Sequence, residues 1–279
     1  MPTIQPLTTL QQFHQVERLE AAIWGPVDLV PLPILAVTVR RGAVLLGAYD
    51  ADRLVGFVFS LAALRTGRDG PPVPSHWSHM LGVDPRLRGS GLGAELKLAQ
   101  RDAVSKLGLD LIEWTYDPLQ SINAHLNFAK LGVIAEEYVE NIYGESTSAL
   151  HGGLPTDRFI CQWWIRRPHV IRRIAPAAIR AIDRAAAEAP LVNRIRATGE
   201  SLAPNGFDTN RNDPRIKVEI PLDFPRMLST DPPLALRWRI ETRAIFQHYF
   251  ARDYRIVDFA HDRAQGRGQY LLTTIRSDQ

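Results

Sequence analysis

The stretch Met80-Leu-Gly-Val-Asp-Pro-Arg-Leu-Arg-Gly-Ser-Gly-Leu-Gly-Ala-Glu-Leu96 decides how the rest of the chain is read. It predicts a strand ending at Val83, a basic turn, and a glycine-rich entry into a helix. The first turn of a helix presents unpaired backbone N–H groups together with the positive end of the helix dipole, which makes it a site for phosphate. Gly89, Gly91 and Gly93 let the backbone come close to such a ligand, Ser90 and Leu92 lie between them, and Arg86 and Arg88 add cationic donors.

Glycine-rich turns are common, and a loop that holds no ligand is the plain alternative. Gly89-x-Gly91-x-x-Ala94 also fits the letters of a dinucleotide fingerprint. In that motif the first glycine follows the strand almost directly, whereas Asp84-Pro-Arg-Leu-Arg88 intervenes here.

Upstream, Thr9-Leu-Gln-Gln12 has the form of a capping box, and Leu10, Phe13, Val16, Leu19 and Ile23 recur at helical spacing. Pro31 and Pro33 predict irregular structure, and the apolar runs Ala43 to Tyr49 and Leu54 to Leu64 predict a hairpin. His76 to Val83 is the strand that feeds the glycine turn. Downstream, Leu92, Leu96, Ala99, Ala103 and Leu107 predict one buried helical face, closed by Gly108. Leu109 to Tyr116 reads as a strand parallel to the earlier one, because strand, helix and strand of these lengths form a crossover unit. A helix from about Ile122 to Leu131 and strands at Val133 to Tyr143 and Arg158 to Ile165 follow.

The segment His169 to Arg196 is rich in alanine and arginine and reads as helical, with a loop from Ser201 to Asp213. Its arginines, among them Arg180 and Arg184, are interleaved with no aromatic residue, so a solvated helix is favoured over nucleic-acid binding. Ile216 to Leu222, a helix opened by Asp231-Pro232, and strands at Tyr254 to Ala260 and Gln269 to Thr274 repeat the order strand, helix, strand, strand found from Leu109 to Ile165. This gives an expected α/β chain of three parts: 1–165, a helical linker 166–213, and a C-terminal α/β subdomain 214–279. The last part reads as a half-copy lacking the glycine turn, a covering or dimerisation element.

At 279 residues the chain can bury a substantial core, and a net charge of +3 does not by itself argue for nucleic acid. A single cysteine, Cys161, excludes an internal disulfide framework and a cysteine-rich metal site, and no cluster has metal-ligand spacing. No signal-peptide core and no apolar run of membrane-spanning length is present, so a cytoplasmic protein without a metal is expected.

Arg88, Gly91 and Gly93 match in order the pyrophosphate loop of acyl-CoA N-acyltransferases of the GNAT superfamily, and Val83-Asp-Pro85 is similar to the strand-to-loop junction of that family. The phrases His76 to Val83, Leu96 to Arg101, Glu113 to Pro118, Asn123 to Gly132 and Pro155 to Arg158 resemble its longer subfamily associated with N-acyl (N-succinyl) amino acid racemases. The resemblance implies the GNAT fold, a mixed central sheet with flanking helices. It implies acetyl- or succinyl-CoA as co-substrate, a small amine or amino acid as acceptor, and a possible homodimer. The pantetheine arm would pair with the strand ending at Leu81 and Val83, and Asn123 would approach the cofactor. Gly82 would mark a bulge or a close backbone approach beside the splayed strands that admit the thioester.

Transfer to an amine needs the neutral nitrogen, hence a base. His79 is the first candidate, since His79-x-Leu81-x-Val83 resembles the histidine-bearing strand of some aralkylamine acyltransferases and strand alternation places the three on one face. Glu113 is the second, with a salt-bridged carboxylate as its structural alternative. Many members of the superfamily carry a tyrosine acid four residues before the glycine that ends the late helix; here that position is Phe128. Tyr143, Tyr116 and Tyr138 are the substitutes, each with a packing role as the alternative.

Overall fold

Thr9 starts the first helix: its hydroxyl accepts the Gln12 N–H at 3.3 Å while Gln12 Oε1 accepts the Thr9 N–H at 3.0 Å, the reciprocal cap expected from the sequence. The computed structural model describes residues 2–26, 29–66, 71–144, 153–175, 187–199 and 201–275, and the chain divides into two compact units, Met1–Trp114 and Thr115–Gln279.

In the first unit, strands β1 (Thr3–Pro6), β2 (Val44–Asp50), β3 (Arg53–Arg65), β4 (Val73–Val83) and β5 (Leu111–Tyr116, which runs past the division) lie side by side in chain order. Neighbours are antiparallel except β4 and β5, which are parallel and joined through helix α3 (Leu92–Lys106), as the crossover rule requires. Helices α1 (Leu10–Trp24) and α2 (Leu32–Val39) cover a core that includes Leu7, Phe13, Val16, Leu35, Phe57 and Phe59. Two expectations change. The Pro31–Pro33 stretch opens α2, since Pro33 sits in the first turn where its missing N–H costs nothing. On α3 the buried residues are Leu92, Leu96, Lys97, Gln100 and Val104, while Leu107 is exposed, so the inward face is rotated from the expected one and carries two polar side chains.

The second unit holds α4 (Ser121–Ala124), which runs on into a wider turn over His125–Lys130 with Leu131 N–H bonded to Leu126 O. Strands β6 (Ile134–Val139), β7 (Arg158–Trp164), β10 (Arg215–Pro221), β11 (Arg255–Asp262) and β12 (Arg267–Thr273) form an antiparallel series in the order β7-β6-β11-β12-β10. That order reads as two strand pairs mirrored about the β6–β11 contact, with β10 outside the second, consistent with the repeat suspected in the sequence. Helices α5 (Pro168–Ile174), α6 (Phe224–Thr230) and α7 (Pro232–Phe250) complete the unit, with α7 capped by Asp231 as expected.

Among the described residues between 166 and 213, α5 bears out the helical reading. Residues 176–186, with Arg180 and Arg184, lie outside the described residues. Asn193–Thr198 (β8) and Ser201–Phe207 (β9) form a hairpin where helix and loop were expected. Tertiary bonds override local composition: the Asn193 amide donates to Glu219 O at 2.9 Å and accepts from Glu219 N–H at 2.8 Å, and Trp238 Nε1 donates to Leu202 O at 2.8 Å. The 214–279 segment shares its core with residues 116–164. Phe159 packs on Tyr116, Phe246 and Tyr270 with ring centroids 5.8, 4.7 and 5.8 Å away. The division of the chain into compact units falls between Trp114 and Thr115.

Candidate functional site

Strand β4 carries the first part of the site. Its pairing with β3 runs from Gly56↔Val83 to Phe59↔Met80 and resumes at Ser60↔Ser78, so His79 is the extra residue of a β-bulge. Bulges re-aim side chains. The His79 ring meets Phe59 edge-on, centroids 6.1 Å apart, while Leu81 and Val83 approach Gly93 at the start of α3. The expected sharing of one face by His79, Leu81 and Val83 is broken by this slip. His79 is open to solvent on one side, yet the surrounding protein desolvates it enough to lower its pKa, so it is neutral and able to accept a proton near pH 7. Gly82 answers to packing and not to the bulge: a Cβ there would lie 2.6 Å from Phe57 and 2.9 Å from Ile23.

The parallel ladder between β4 and β5 is short, covering only His76↔Ile112 and Trp77↔Glu113. From Ser78 onward the edge of β4 turned away from β3 has left that ladder.

The turn after β4 is built on Asp84. Its buried carboxylate accepts the Arg86 N–H at 3.0 Å, Arg86 Nε at 3.0 Å, Arg86 Nη2 at 2.7 Å and Arg53 Nη1 at 3.2 Å. Leu87, Arg88 and Ser90 N–H groups bond back to Asp84, Pro85 and Leu87 carbonyls. Gly89 and Gly91 then adopt φ of +82° and +96°, the left-handed region that favours glycine. Gly91 starts the 15-residue helix α3 with no side-chain cap, and Leu92 N–H reaches only Ser90 Oγ at 3.4 Å. Among the described residues the N–H groups of Gly89, Gly91 and Gly93 have no hydrogen-bond partner, and a Cβ at Gly89 or Gly91 would meet nothing within 4 Å. Three unpaired donors, open space and the positive end of a helix dipole fit the diphosphate of CoA. Of the two arginines, Arg86 is folded onto Asp84, and Arg88 carries no side-chain hydrogen bond or ion pair among the described residues.

Glu113 is buried and ion-paired with Arg65 Nε at 3.3 Å, the salt-bridged arrangement named as its structural alternative. In the second unit Asn123 is exposed on α4. Tyr143 is exposed, shares a 2.7 Å hydrogen bond with Thr115 Oγ1, and lies beneath the Arg158 guanidinium. Phe128 is fully buried against Tyr116 and Tyr270. Tyr116 bonds Tyr270 at 3.0 Å and Tyr138 donates to Asp157 at 2.6 Å; burial raises the pKa of all three phenols. Tyr116 is buried and Tyr138 half-buried, each with its hydroxyl bonded inside the protein.

Two further buried polar features were not singled out in the sequence. Buried Glu20 on α1 accepts the Val30 N–H at 3.1 Å through one oxygen, the other has no partner among the described residues, and burial raises its pKa to about 7. Lys97 and Gln100 on α3 reach Ser78, as detailed below. A lysine between Leu96 and Leu98, three residues before Gln100, was the available signal for that inward polar stripe. Among the described residues no group of three or more His, Cys, Asp or Glu side chains is placed to hold a metal ion, and no helix is long and apolar enough to cross a membrane.

No family model and no curated relative matches the sequence. Solved structures similar to this chain include the NatC complex bound to Gag peptide and CoA, at 17% identity over 58% of this chain and 96% of that one, with a TM-score of 0.44. Another is the ribosomal-protein-S18-alanine N-acetyltransferase of Escherichia coli, at 17% identity over 58% and 92% with a TM-score of 0.45. A third is Arabidopsis thaliana NAA60 in complex with acetyl-CoA, at 14% identity over 59% and 100% with a TM-score of 0.47.

Proposed function

We propose that this chain is an acyl-CoA-dependent N-acyltransferase of the GNAT type, moving an acetyl or succinyl group from CoA to the amino group of a small acceptor, an amino acid in the subfamily it resembles, in the cytoplasm. The observation that carries this reading is the cradle of unpaired Gly89, Gly91 and Gly93 N–H groups, joined through Asp84 to a strand whose edge leaves its parallel neighbour after Trp77. The diphosphate rests on those donors with Arg88 beside it, and the pantetheine arm runs along Leu81 to Val83.

The thioester supplies an activated acyl carbonyl. His79 takes a proton from the acceptor ammonium, the freed lone pair attacks the carbonyl carbon, the C–N bond forms, the C–S bond breaks, and the nitrogen, now cationic and acidic, gives up its second proton to solvent to leave the neutral amide. The departing thiolate has a conjugate acid with a pKa near about 8.5, so it leaves and collects a proton from water without a dedicated acid, in keeping with Phe128 at the tyrosine position. The same Phe128 favours a second reading, a CoA-binding or scaffolding protein without turnover.

A thiol-release assay with acetyl-CoA and succinyl-CoA against amino acids and small amines, run beside calorimetric titration of CoA, separates the two. Turnover on any pair supports the enzyme; saturable CoA binding without turnover selects the second reading. Absence of CoA binding overturns both.

A further inference from the structure

Three buried polar side chains meet where β4 and β5 part. Lys97 is 3% exposed, and its ammonium donates to Ser78 Oγ at 3.1 Å and Gln100 Oε1 at 2.9 Å and lies 3.5 Å from the centroid of the Trp114 ring. Gln100 Nε2 also donates to Ser78 Oγ at 3.0 Å. Ser78 and Trp114, partners of Lys97 outside its own helix, occupy matching places on the two strands. Trp77↔Glu113 is the last pair of the ladder; Ser78 is the next residue of β4 and Trp114 the next residue of β5. Lys97 thus touches both strands at the first position beyond their last paired residues.

Ser78 is also the residue immediately before the bulged His79. Farther back on β4, His76 Nδ1 is bonded to Ser60 Oγ of β3 at 2.9 Å inside the core. The register of β4 is therefore held by directional side-chain bonds on either side of Trp77, and a slip of one residue would carry His79 to the opposite face. A buried ammonium is a costly way to fill a core, and an apolar side chain of similar length would pack there with a smaller desolvation penalty. What the ammonium adds is direction: short donors fixed on a hydroxyl of one strand and a positive charge over the ring of the other, a strong arrangement for tryptophan when desolvated.

We propose that Lys97 is a positioning residue for the acyl-transfer reaction, holding the fork between β4 and β5 and the bulge that presents His79 by gripping Ser78 on one strand and Trp114 on the other. This rests on the reading of His79 as the base. Lys97 itself touches neither substrate nor reacting atoms.

The test uses the full chain with Lys97→Met, which keeps the length of the side chain and removes its donors and charge, and Ser78→Ala, which removes the hydroxyl that is gripped. Each variant is read by the nuclear magnetic resonance titration of the His79 imidazole and by kcat and KM for acyl-CoA. In Lys97→Met, kcat is expected to fall about a hundredfold with KM within about threefold, as for a misplaced catalytic group. The His79 titration is expected to move up toward the ordinary histidine value near about 6.5. Ser78→Ala changes both in the same direction by less. An unchanged His79 titration in Lys97→Met overturns the proposal, whether activity is kept or falls in step with thermal stability. If Lys97→Met does not fold, Ser78→Ala is read by the same measurements and the same outcomes decide. If the unaltered chain turns over no acceptor, the acyltransferase reading fails, and the His79 titration alone still decides whether Lys97 sets the bulge.

Discussion

Arg239 and Asp117 face each other fork to fork, Nη1 donating to Oδ1 at 2.7 Å and Nη2 to Oδ2 at 2.6 Å. Burial pushes the Asp117 carboxyl up, but the charge and hydrogen bonds of Arg239 outweigh it and hold the group below its ordinary range. The pair ties the residue just after β5 to helix α7 within one unit, the same two chain segments whose aromatic rings form its core. Breaking one member of such a pair leaves the other charge buried and uncompensated. Asp117→Asn is expected to cost about 3–5 kcal/mol in urea unfolding. A chain ended at residue 213 should lose β6 and β7 to limited proteolysis, because their core partners are gone. A cost below about 1 kcal/mol would show that the ion pair is dispensable.

Glu20 makes stability depend on pH. Its folded pKa is about 7 against 4.5 for the free group, desolvation being the main cause, so between these values the folded state binds the extra proton. The penalty for ionising it is absent below pH 4.5 and complete above about pH 7, so this group's contribution falls as pH rises through that window. The 2.5-unit difference sets an upper limit of about 3 kcal/mol. Glu20→Gln keeps an acceptor for Val30 N–H, and is expected to be more stable than the parent at pH 8 and to show a flatter melting temperature from pH 5 to 8. Parallel curves for the two proteins would remove Glu20 as the source.

The two arginines of the turn should behave differently. Arg86 is held by Asp84 through three of its N–H groups and lends its charge to the turn, whereas Arg88 is at hand for a ligand. Arg88→Ala is expected to weaken CoA binding about tenfold and to reduce its salt dependence, while Arg86→Ala stays within about threefold. Equal losses would mean that Arg86 leaves Asp84 when CoA binds.

Much of this was readable in the residues, for physical reasons. The glycine turn and the crossover helix announce themselves because positive φ, unpaired N–H groups and helical periodicity are local properties. The hairpin at Asn193–Phe207 was hidden because its strands are held by Glu219 and Trp238, tens of residues away. The inward face of α3 was misjudged because Lys97 and Gln100 read as solvent residues until Ser78 and Trp114 supply their partners. The ion pair of Glu113 could not be read ahead, because Arg65 is brought beside it only by folding. The bulge at His79 left no trace in the pattern of apolar residues, since an extra residue shows only in the register of the partner strand.

The base can be tested apart from cofactor binding. His79→Ala removes the proton acceptor and leaves the glycine cradle intact, so kcat is expected to fall about a hundredfold or more with acyl-CoA affinity within about threefold. The sign of the pH dependence follows from the lowered pKa: His79 must be neutral to act, so kcat falls as pH drops through a value below the ordinary 6.5, and that acid limb disappears in the variant. Unchanged turnover would remove His79 from the mechanism.

Gly91 and Gly93 separate the two ways a glycine can serve a ligand. At Gly91 a side chain has room, with nothing within 4 Å, but φ is +96°, so Gly91→Ala strains the backbone by about 1 kcal/mol and turns its N–H away from the cradle. At Gly93 φ lies outside the left-handed region, and a Cβ would rest in ordinary contact 3.9 Å from Leu81 and 4.0 Å from Val83, against the sheet. Gly93→Ala should therefore stabilise α3 by about 0.5–1 kcal/mol. CoA affinity is expected to fall about tenfold in Gly91→Ala and to stay within about threefold in Gly93→Ala, measured by calorimetry, if direction of the N–H groups and not free volume makes the cradle. Equal losses in both variants would mean that the ligand needs the empty space at Gly93, and would place the diphosphate deeper against β4 than the unpaired donors imply.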